Sequence, residues 1–284
     1  MSDAGGPAMA GRALDGRVVL VTGGGAGIGR GVVEACLEAG ATVAVGTLEG
    51  AGAFERGAVS EGMPPAGTAP AGETLPGAAL ANGTLDLETL DVADPHAIDR
   101  WVDGVRERRG RVDGIVANAG VTVQRPFLEI GLEDLERLWR INQRGTFLAA
   151  RAAARRMVAD GTPGSIVAIA SNHARASDAG YEMYAATKGA IVAMCRAMAW
   201  SLGPHGIRAN SLSPGLTRTA AVADAASDPA LERAFRAWHA TGRYNTVREV
   251  GDCAAFLLSD AASSVTGADL LADQGMSARL ADFP

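Results

Sequence analysis

Apolar residues come in short runs that alternate with helix-spaced patterns along almost the whole chain. Residues 17–22 (RVVLVT), 41–45 (ATVAV), 87–92, 112–117 (VDGIVA), 165–170 (SIVAIA), 207–212 (IRANSL) and 269–272 (DLLA) read as strands. Segments of helical spacing lie between most of them: 28–39, 96–109, 132–159, 182–202 and 247–259. Gly40 stops the first of these helices and Gly203-Pro204 stops the most apolar one. Strand and helix in alternation predict right-handed crossovers. The expected fold is α/β, a doubly wound parallel sheet with helices on both faces.

One stretch breaks this rhythm. Residues 50–83 hold eight Gly, nine Ala and four Pro in 34 positions, and Pro64, Pro65, Pro70 and Pro76 forbid a continuous helix. It reads as an expanded, partly disordered surface loop inside one domain rather than a linker. Residues 1–50 supply two strands and one helix, too little for a core of their own. The expected organisation is a flexible tail at 1–15 and a single domain at 16–284.

Composition narrows the function classes. A net charge of −6 and no Lys/Arg run argue against nucleic acid as a partner. Three cysteines (Cys36, Cys195, Cys253) are too few and too scattered for a disulfide framework or a zinc site, so no metal is expected. The N-terminal residues lack a signal-peptide core, and no apolar stretch approaches the ~20 residues that span a bilayer. The protein is expected to be soluble and cytoplasmic.

Two clusters carry candidate chemistry. The first strand runs into Thr22-Gly23-Gly24-Gly25-Ala26-Gly27-Ile28-Gly29 and then a helix. Glycines there allow positive φ and let backbone N–H groups approach a pyrophosphate, although a plain tight turn uses the same residues. Tyr184 and Lys188 stand four residues apart on one helical face. A cation beside a phenol is expected to lower its pKa from about 10 towards neutrality, which suits proton exchange; a solvated face has the same spacing. Ser171 ends a strand thirteen residues before Tyr184, and Asn142 is placed at the start of a long helix.

With these residues in view, the chain strongly resembles the short-chain dehydrogenase/reductase family from about residue 16 to residue 276. The family's T-G-x-x-x-G-x-G turn matches Thr22, Gly23, Gly27 and Gly29, with Gly25 and Ile28 inside it. Its N-A-G motif matches Asn118, Ala119 and Gly120, and its P-G motif matches Pro214 and Gly215, followed by Thr217 and Thr219. Its catalytic Asn, Ser, Tyr and Lys match Asn142, Ser171, Tyr184 and Lys188 in order and spacing.

The resemblance implies a Rossmann-type sheet of seven strands and an NAD(P)-dependent oxidoreductase acting on a carbonyl or an alcohol. Tyr184 is implied as general acid/base and Lys188 as ligand of the nicotinamide ribose. Ser171 is implied to hold the substrate oxygen, and Asn142 to anchor a relay water. Asp91-Val92, expected at the end of the third strand, resembles the adenine-binding pair, or Asp91 caps the next helix. A homotetramer or homodimer built on the helices 132–159 and 182–202 is also implied. A protein that keeps the fold and the dinucleotide but not turnover is the alternative.

Three departures concern cofactor fit. Thr47 stands where NAD-using relatives carry an Asp on the adenosine ribose, so NADP is weakly preferred over NAD; Arg56 is the nearest basic residue in sequence to meet a 2′-phosphate. Ala117 precedes the N-A-G motif, with little consequence expected. Asp273-Gln274-Gly275 replaces a usual D-G-G, so the backbone there is expected to differ. Substrate specificity is expected in residues 121–125, 172–180 and 220–245, with a lid helix at 229–241. His173, Arg175, Arg233, Arg236, His239 and Arg243 offer a grip for an acidic or phosphorylated substrate, or else a solvated face beside Asp228 and Glu232.

Overall fold

Alternate strand residues feed two separate cores, one on each face of the sheet. The computed structural model describes residues 13–48, 79 and 83–279. Its strands are β1 (Val18–Thr22), β2 (Thr42–Thr47), β3 (Leu85–Thr89), β4 (Gly114–Ala117), β5 (Gly164–Ile169) and β6 (Ile207–Pro214). A short pair, β7 (Thr217–Arg218) and β8 (Asn245–Thr246), stands apart, and β9 (Asp269–Ala272) completes the main sheet. The seven strands run in the order β3-β2-β1-β4-β5-β6-β9, every neighbouring pair parallel.

The helices are α1 (Gly27–Glu38), α2 (Pro95–Arg109), α3 (Leu132–Leu138), α4 (Thr146–Asp160), α5 (Glu182–Leu202), α6 (Ala220–Ala225), α7 (Pro229–Ala237) and α8 (Val247–Leu258). Val19, Val21, Val43 and Val45 pack with α1 and α8 on one face. Val18, Leu20, Ala44 and Ile115 pack with α2 and α4 on the other. Local signals set the ends. Asp94 caps α2 through the His96 amide, with Pro95 following and Gly110 left-handed at its end. Thr246 and Glu249 form a capping box on α8.

The structure corrects several expected boundaries. β3 covers residues 85–89 rather than 87–92, because its register with β2 runs out at Thr47↔Thr89 and the chain leaves the sheet there. The helix expected over 132–159 is interrupted by a π-helical turn at Trp139–Gly145. The lid helix expected over 229–241 stops at Ala237. Leu14, in the stretch expected to be tail, is fully buried, and its N–H donates to Ala39 O at 2.9 Å. The expanded loop and Arg56 lie outside the described residues, apart from Ala79 and Gly83.

The tightest crossing joins α1 to α8 through two glycines. A Cβ on Gly251 would lie 2.2 Å from Gly31 O, and one on Gly31 would lie 2.3 Å from Val247 O. Both obstacles are backbone, so neither can swing aside. Gly251→Ala should therefore lose about 2–3 kcal/mol of stability in urea denaturation. Gly104→Ala in α2, where a Cβ would meet only the mobile end of Arg108 at 3.0 Å, should gain up to about 1 kcal/mol from helix propensity. A neutral Gly251→Ala variant would show that α1 and α8 do not need this close approach.

Candidate active site

An all-parallel sheet sends every strand end to the same edge, and its order reverses between β1 and β4. Connections leave the two strands in opposite directions, which opens a crevice there. Thr22 and Asn118 bridge it. The buried Thr22 hydroxyl accepts from the Asn118 and Ala119 amides at 3.0 and 3.1 Å, and Asn118 Nδ2 donates to Thr22 O and Gly23 O.

The glycine turn fits against this bridge because it lacks side chains. Gly23 and Gly27 have φ of +66° and +52°. A Cβ on Gly23 would lie 2.9 Å from Ala119 Cα, and one on Gly29 only 2.1 Å from Gly23 O. Gly24 and Gly25 are buried beneath the turn, and Ile28 packs on the core behind it. The α1 N-cap, Ala26, offers no side chain to the first-turn amides, and that turn has no acidic residue. These N–H groups are available to an anion, as a dinucleotide pyrophosphate requires.

Two other expected contacts flank the turn. Thr219 caps α6 and sets its methyl beside Gly27, 3.3 Å from where a Cβ would be. The buried Thr217 hydroxyl donates to Gly215 O, which holds the Pro214-Gly215 corner. On the opposite side Thr47 ends β2 and accepts from the Leu90 amide at 2.9 Å, so Thr47, Asp91 and Val92 share one end of the crevice. Asp91 lies two residues beyond β3 and not at its end; its exposed carboxylate accepts from the Ala93 amide, while Asp94 is the residue that caps the helix.

The reacting-centre candidates converge from β5, α5 and the π turn. Lys188 is buried, its Nζ donates to Ile169 O at 2.8 Å, and it lies 5.7 Å from the Tyr184 ring centroid. It is the only lysine in the chain. Burial pulls its pKa down to about 8. The Tyr184 hydroxyl neighbours those of Ser171 and Thr122, which favour its ionised form. Burial pushes the phenol above its ordinary value against the opposing pull of those two hydroxyls. The expected lowering by a neighbouring cation does not hold: burial raises the phenol, and the groups that pull it down are the Ser171 and Thr122 hydroxyls rather than Lys188.

Asn142 sits inside the π turn, not at a helix start, and is fully buried. Its amide closes two bonds with the Val121 backbone, both 2.8 Å, and a third to Thr187 Oγ1, which in turn donates to Tyr184 O. π turns recur at functional sites because the wider turn re-aims a side chain. Thr122 and Thr187 had no individual role in the sequence reading. Thr187 had a local signal, since a helical Thr often bonds a carbonyl one turn back; Thr122 had none.

Around this centre, Ser171 accepts from the His173 amide at 3.2 Å, and the His173 ring stands edge-on to Tyr184 at 5.5 Å. Gln274 takes φ +54°, the left-handed conformation that glycine would adopt without strain. Its side chain bonds Thr241 and Asn245 at 3.0 and 3.1 Å. Most of the basic side chains expected to grip an acidic substrate are committed elsewhere. Arg236 pairs with Glu232, Arg243 with Glu249 and Arg175 with Asp269, and the buried His239 bonds Phe235 O. Arg233 remains on an exposed face.

Comparison with known proteins adds independent findings. Residues 71–277 match a family model described as enoyl-(acyl carrier protein) reductase. The chain is 33% identical over 263 residues to an L-rhamnose 1-dehydrogenase (NAD(P)(+)) of a Sphingomonas species, covering 93% of this chain and 97% of that one. A short-chain type dehydrogenase/reductase from Mycobacterium marinum superposes with a TM-score of 0.80 at 31% identity, covering 94% and 97% of the two chains. A gluconate 5-dehydrogenase from Burkholderia cenocepacia, solved with NADP and tartrate, gives 0.81 at 29% identity with the same coverage.

Burying Lys188 has a cost that can be measured. An ammonium that titrates near 8 in the fold and 10.5 when unfolded costs on the order of 3 kcal/mol at neutral pH. The unfolded chain binds more protons between these values, so stability rises as pH climbs through that window. Lys188→Met should raise Tm by several degrees at pH 7, and the gap to wild type should shrink towards pH 10. A gap that widens with pH would contradict the assignment of this cost to the buried charge.

Proposed function

Because this chain belongs to the short-chain dehydrogenase/reductase family, we propose that it moves a hydride between NAD(P) and a ketone, aldehyde or secondary alcohol. The observation that carries the reading is the Tyr184 hydroxyl beside those of Ser171 and Thr122, with the Lys188 ammonium buried 5.7 Å from the same ring. The glycine turn and the free first turn of α1 would hold the pyrophosphate, Thr47, Asp91 and Val92 the adenosine end, and Asn118, Ala119, Gly120, Pro214, Gly215, Thr217 and Thr219 the nicotinamide half. The bound nicotinamide supplies the hydride acceptor or donor; every proton is handled by the protein.

Tyr184 gives a proton to the carbonyl oxygen in reduction and takes one from the hydroxyl in oxidation. Ser171 holds the same oxygen. Lys188 hydrogen-bonds the nicotinamide ribose through an ammonium proton other than the one given to the Ile169 carbonyl. Asn142 positions the Val121–Thr122 backbone, and because its amide is already bonded, a relay water there relies on its main chain. The raised phenol pKa keeps Tyr184 protonated at neutral pH, the form a reductase needs. Reduction should therefore hold level through neutral pH and fall on the alkaline side, while oxidation climbs with pH. Tyr184→Phe should lower kcat by ~10²–10⁴ in both directions and leave dinucleotide binding nearly unchanged in a fluorescence titration. Retention of more than about a tenth of wild-type kcat would falsify the role, given that range.

NADP is the proposed preferred cofactor. A carboxylate at position 47 would repel a 2′-phosphate, and Thr47 does not; the neighbouring Leu48 is exposed and neutral. Arg56 is the proposed phosphate ligand, since charge-assisted bonds are roughly twice as strong as neutral ones. NADPH should exceed NADH in kcat/KM, and Arg56→Ala should erase most of the difference. A preference for NADH of tenfold, about 1.4 kcal/mol, would defeat the proposal, and unchanged NADPH kinetics in Arg56→Ala would remove the role of that arginine.

A further inference from the structure

A cleft of about 330 Å³, lined by Asp178, Trp238, Met276 and Arg279, opens between the loop after β5, the end of α7 and the turn after β9. It adjoins the reacting centre through two short chains of contact. Met276 Sδ accepts from Asn172 Nδ2 at 3.4 Å, and Asn172 Oδ1 accepts from the Ser171 hydroxyl at 3.3 Å. In the same loop as Asp178 the His173 ring lies between Tyr181 and Tyr184, at 4.8 and 5.5 Å, close enough to Asp178 to feel its charge. A substrate whose oxygen sits on Ser171 and Tyr184 therefore extends its remaining atoms into this cleft.

The lining specifies what those atoms are. Ser177 Oγ donates to Asp178 O at 3.4 Å, and a hydroxyl has one proton to give. The same hydroxyl meets His173 Nδ1 at 2.9 Å, which ties the imidazole to this loop. Burial disfavours the imidazolium. Asp178 accepts no side-chain hydrogen bond among the described residues. The cleft thus presents a hydrogen-bond acceptor in its lining, the Asp178 carboxylate, which requires donors on the ligand. The Asp178 and Arg279 charges oppose each other, and Arg279 is already engaged in another contact. Trp238 is 46% exposed, steadied by the Phe235 ring at 5.2 Å, and offers a flat apolar face in the same cleft as this carboxylate. Hydroxyl donors on one side and a C–H surface on the other describe a carbohydrate.

We propose that this cleft binds the non-reacting part of a neutral polyhydroxylated substrate, a sugar, polyol or ketose, with its C–H face on Trp238 and its hydroxyls donating to Asp178. The assignment rests on the oxidoreductase reading of the adjoining Ser171–Tyr184 pair. A sugar acid would bring its carboxylate towards Asp178, and an apolar alcohol would leave that acceptor unpaired, which sites of this kind reject strongly.

The test uses the full-length enzyme with NADP and NAD against three panels: neutral pentitols, hexitols and aldoses; the matching sugar acids; and apolar secondary alcohols such as cyclohexanol. Neutral polyols should lead both other panels in kcat/KM by about tenfold or more. Trp238→Ala and Asp178→Asn should raise the polyol KM by about tenfold with kcat little changed, and so narrow the lead of polyols over cyclohexanol. An unaltered melting temperature reports that each variant is folded, and Trp238→Phe, which keeps an aromatic face, should recover part of the loss. Sugar acids or apolar alcohols ahead by the same margin, or variants with an unaltered polyol KM, would overturn the proposal. Calorimetric titration of xylitol and sorbitol into the protein with NADP separates the two readings. Polyol binding weakened by Trp238→Ala without turnover of any panel supports the cleft and defeats the oxidoreductase reading; no polyol binding and no polyol turnover defeats the cleft alone.

Discussion

Two parallel strands that part company at their ends leave exposed amides and carbonyls on both sides of the gap, and Thr22 and Asn118 satisfy them across it. Much of what surrounds the site follows from that small set of hydrogen bonds. With β1 and β4 clasped, the turn after β1 must pass against Ala119 and fold back on itself, which leaves no room for a Cβ at Gly23 or Gly29. The segment after β4 is fixed from the other side by Asn142. The crevice is rigid where a dinucleotide would enter because both its walls are tied to the sheet.

The site is polar at the cost of stability, and the fold offsets the cost with backbone partners rather than with opposite charges. Asn142 uses Val121, Lys188 uses Ile169 O, and Thr187 uses Tyr184 O. A carboxylate beside Lys188 would restore its pKa but would also neutralise the field available to a bound ribose or phenolate. Carbonyl dipoles satisfy hydrogen bonds and leave the charge uncommitted. The ion pairs are instead kept at the periphery, as in Arg109 with Asp86 and Arg106 with Asp160, where each is worth little.

The sequence was legible where periodicity and cap chemistry agree. The bounds 182–202 of α5 matched to the residue, as did the start of α8 at 247, which the structure caps with Thr246 and Glu249. It was less legible where a tertiary contact decides. Nothing local announces that β3 ends with its partner β2, nor that one wide turn interrupts an Ala-rich helix to swing Asn142 inward. The order and spacing of Asn142, Ser171, Tyr184 and Lys188 pointed to residues that do meet, but the electrostatics did not follow. Spacing reports that an ammonium lies near a phenol; only burial reports that both are held away from water. Thr122 was invisible for a related reason, since its partner lies across the sheet edge.

The chain carries 25 arginines and one lysine, and that lysine is Lys188. A guanidinium cannot shed its proton, whereas a buried ammonium can, so the position asks for the one basic side chain whose charge yields to its surroundings. In chemical terms the protein is nearly a single-amine molecule. A reagent that acylates or reductively alkylates lysine finds one side chain in the whole sequence, sealed below the crevice and nucleophilic near neutral pH. Surface labelling, which in other proteins spreads over many sites, here becomes a direct readout of how often the crevice opens.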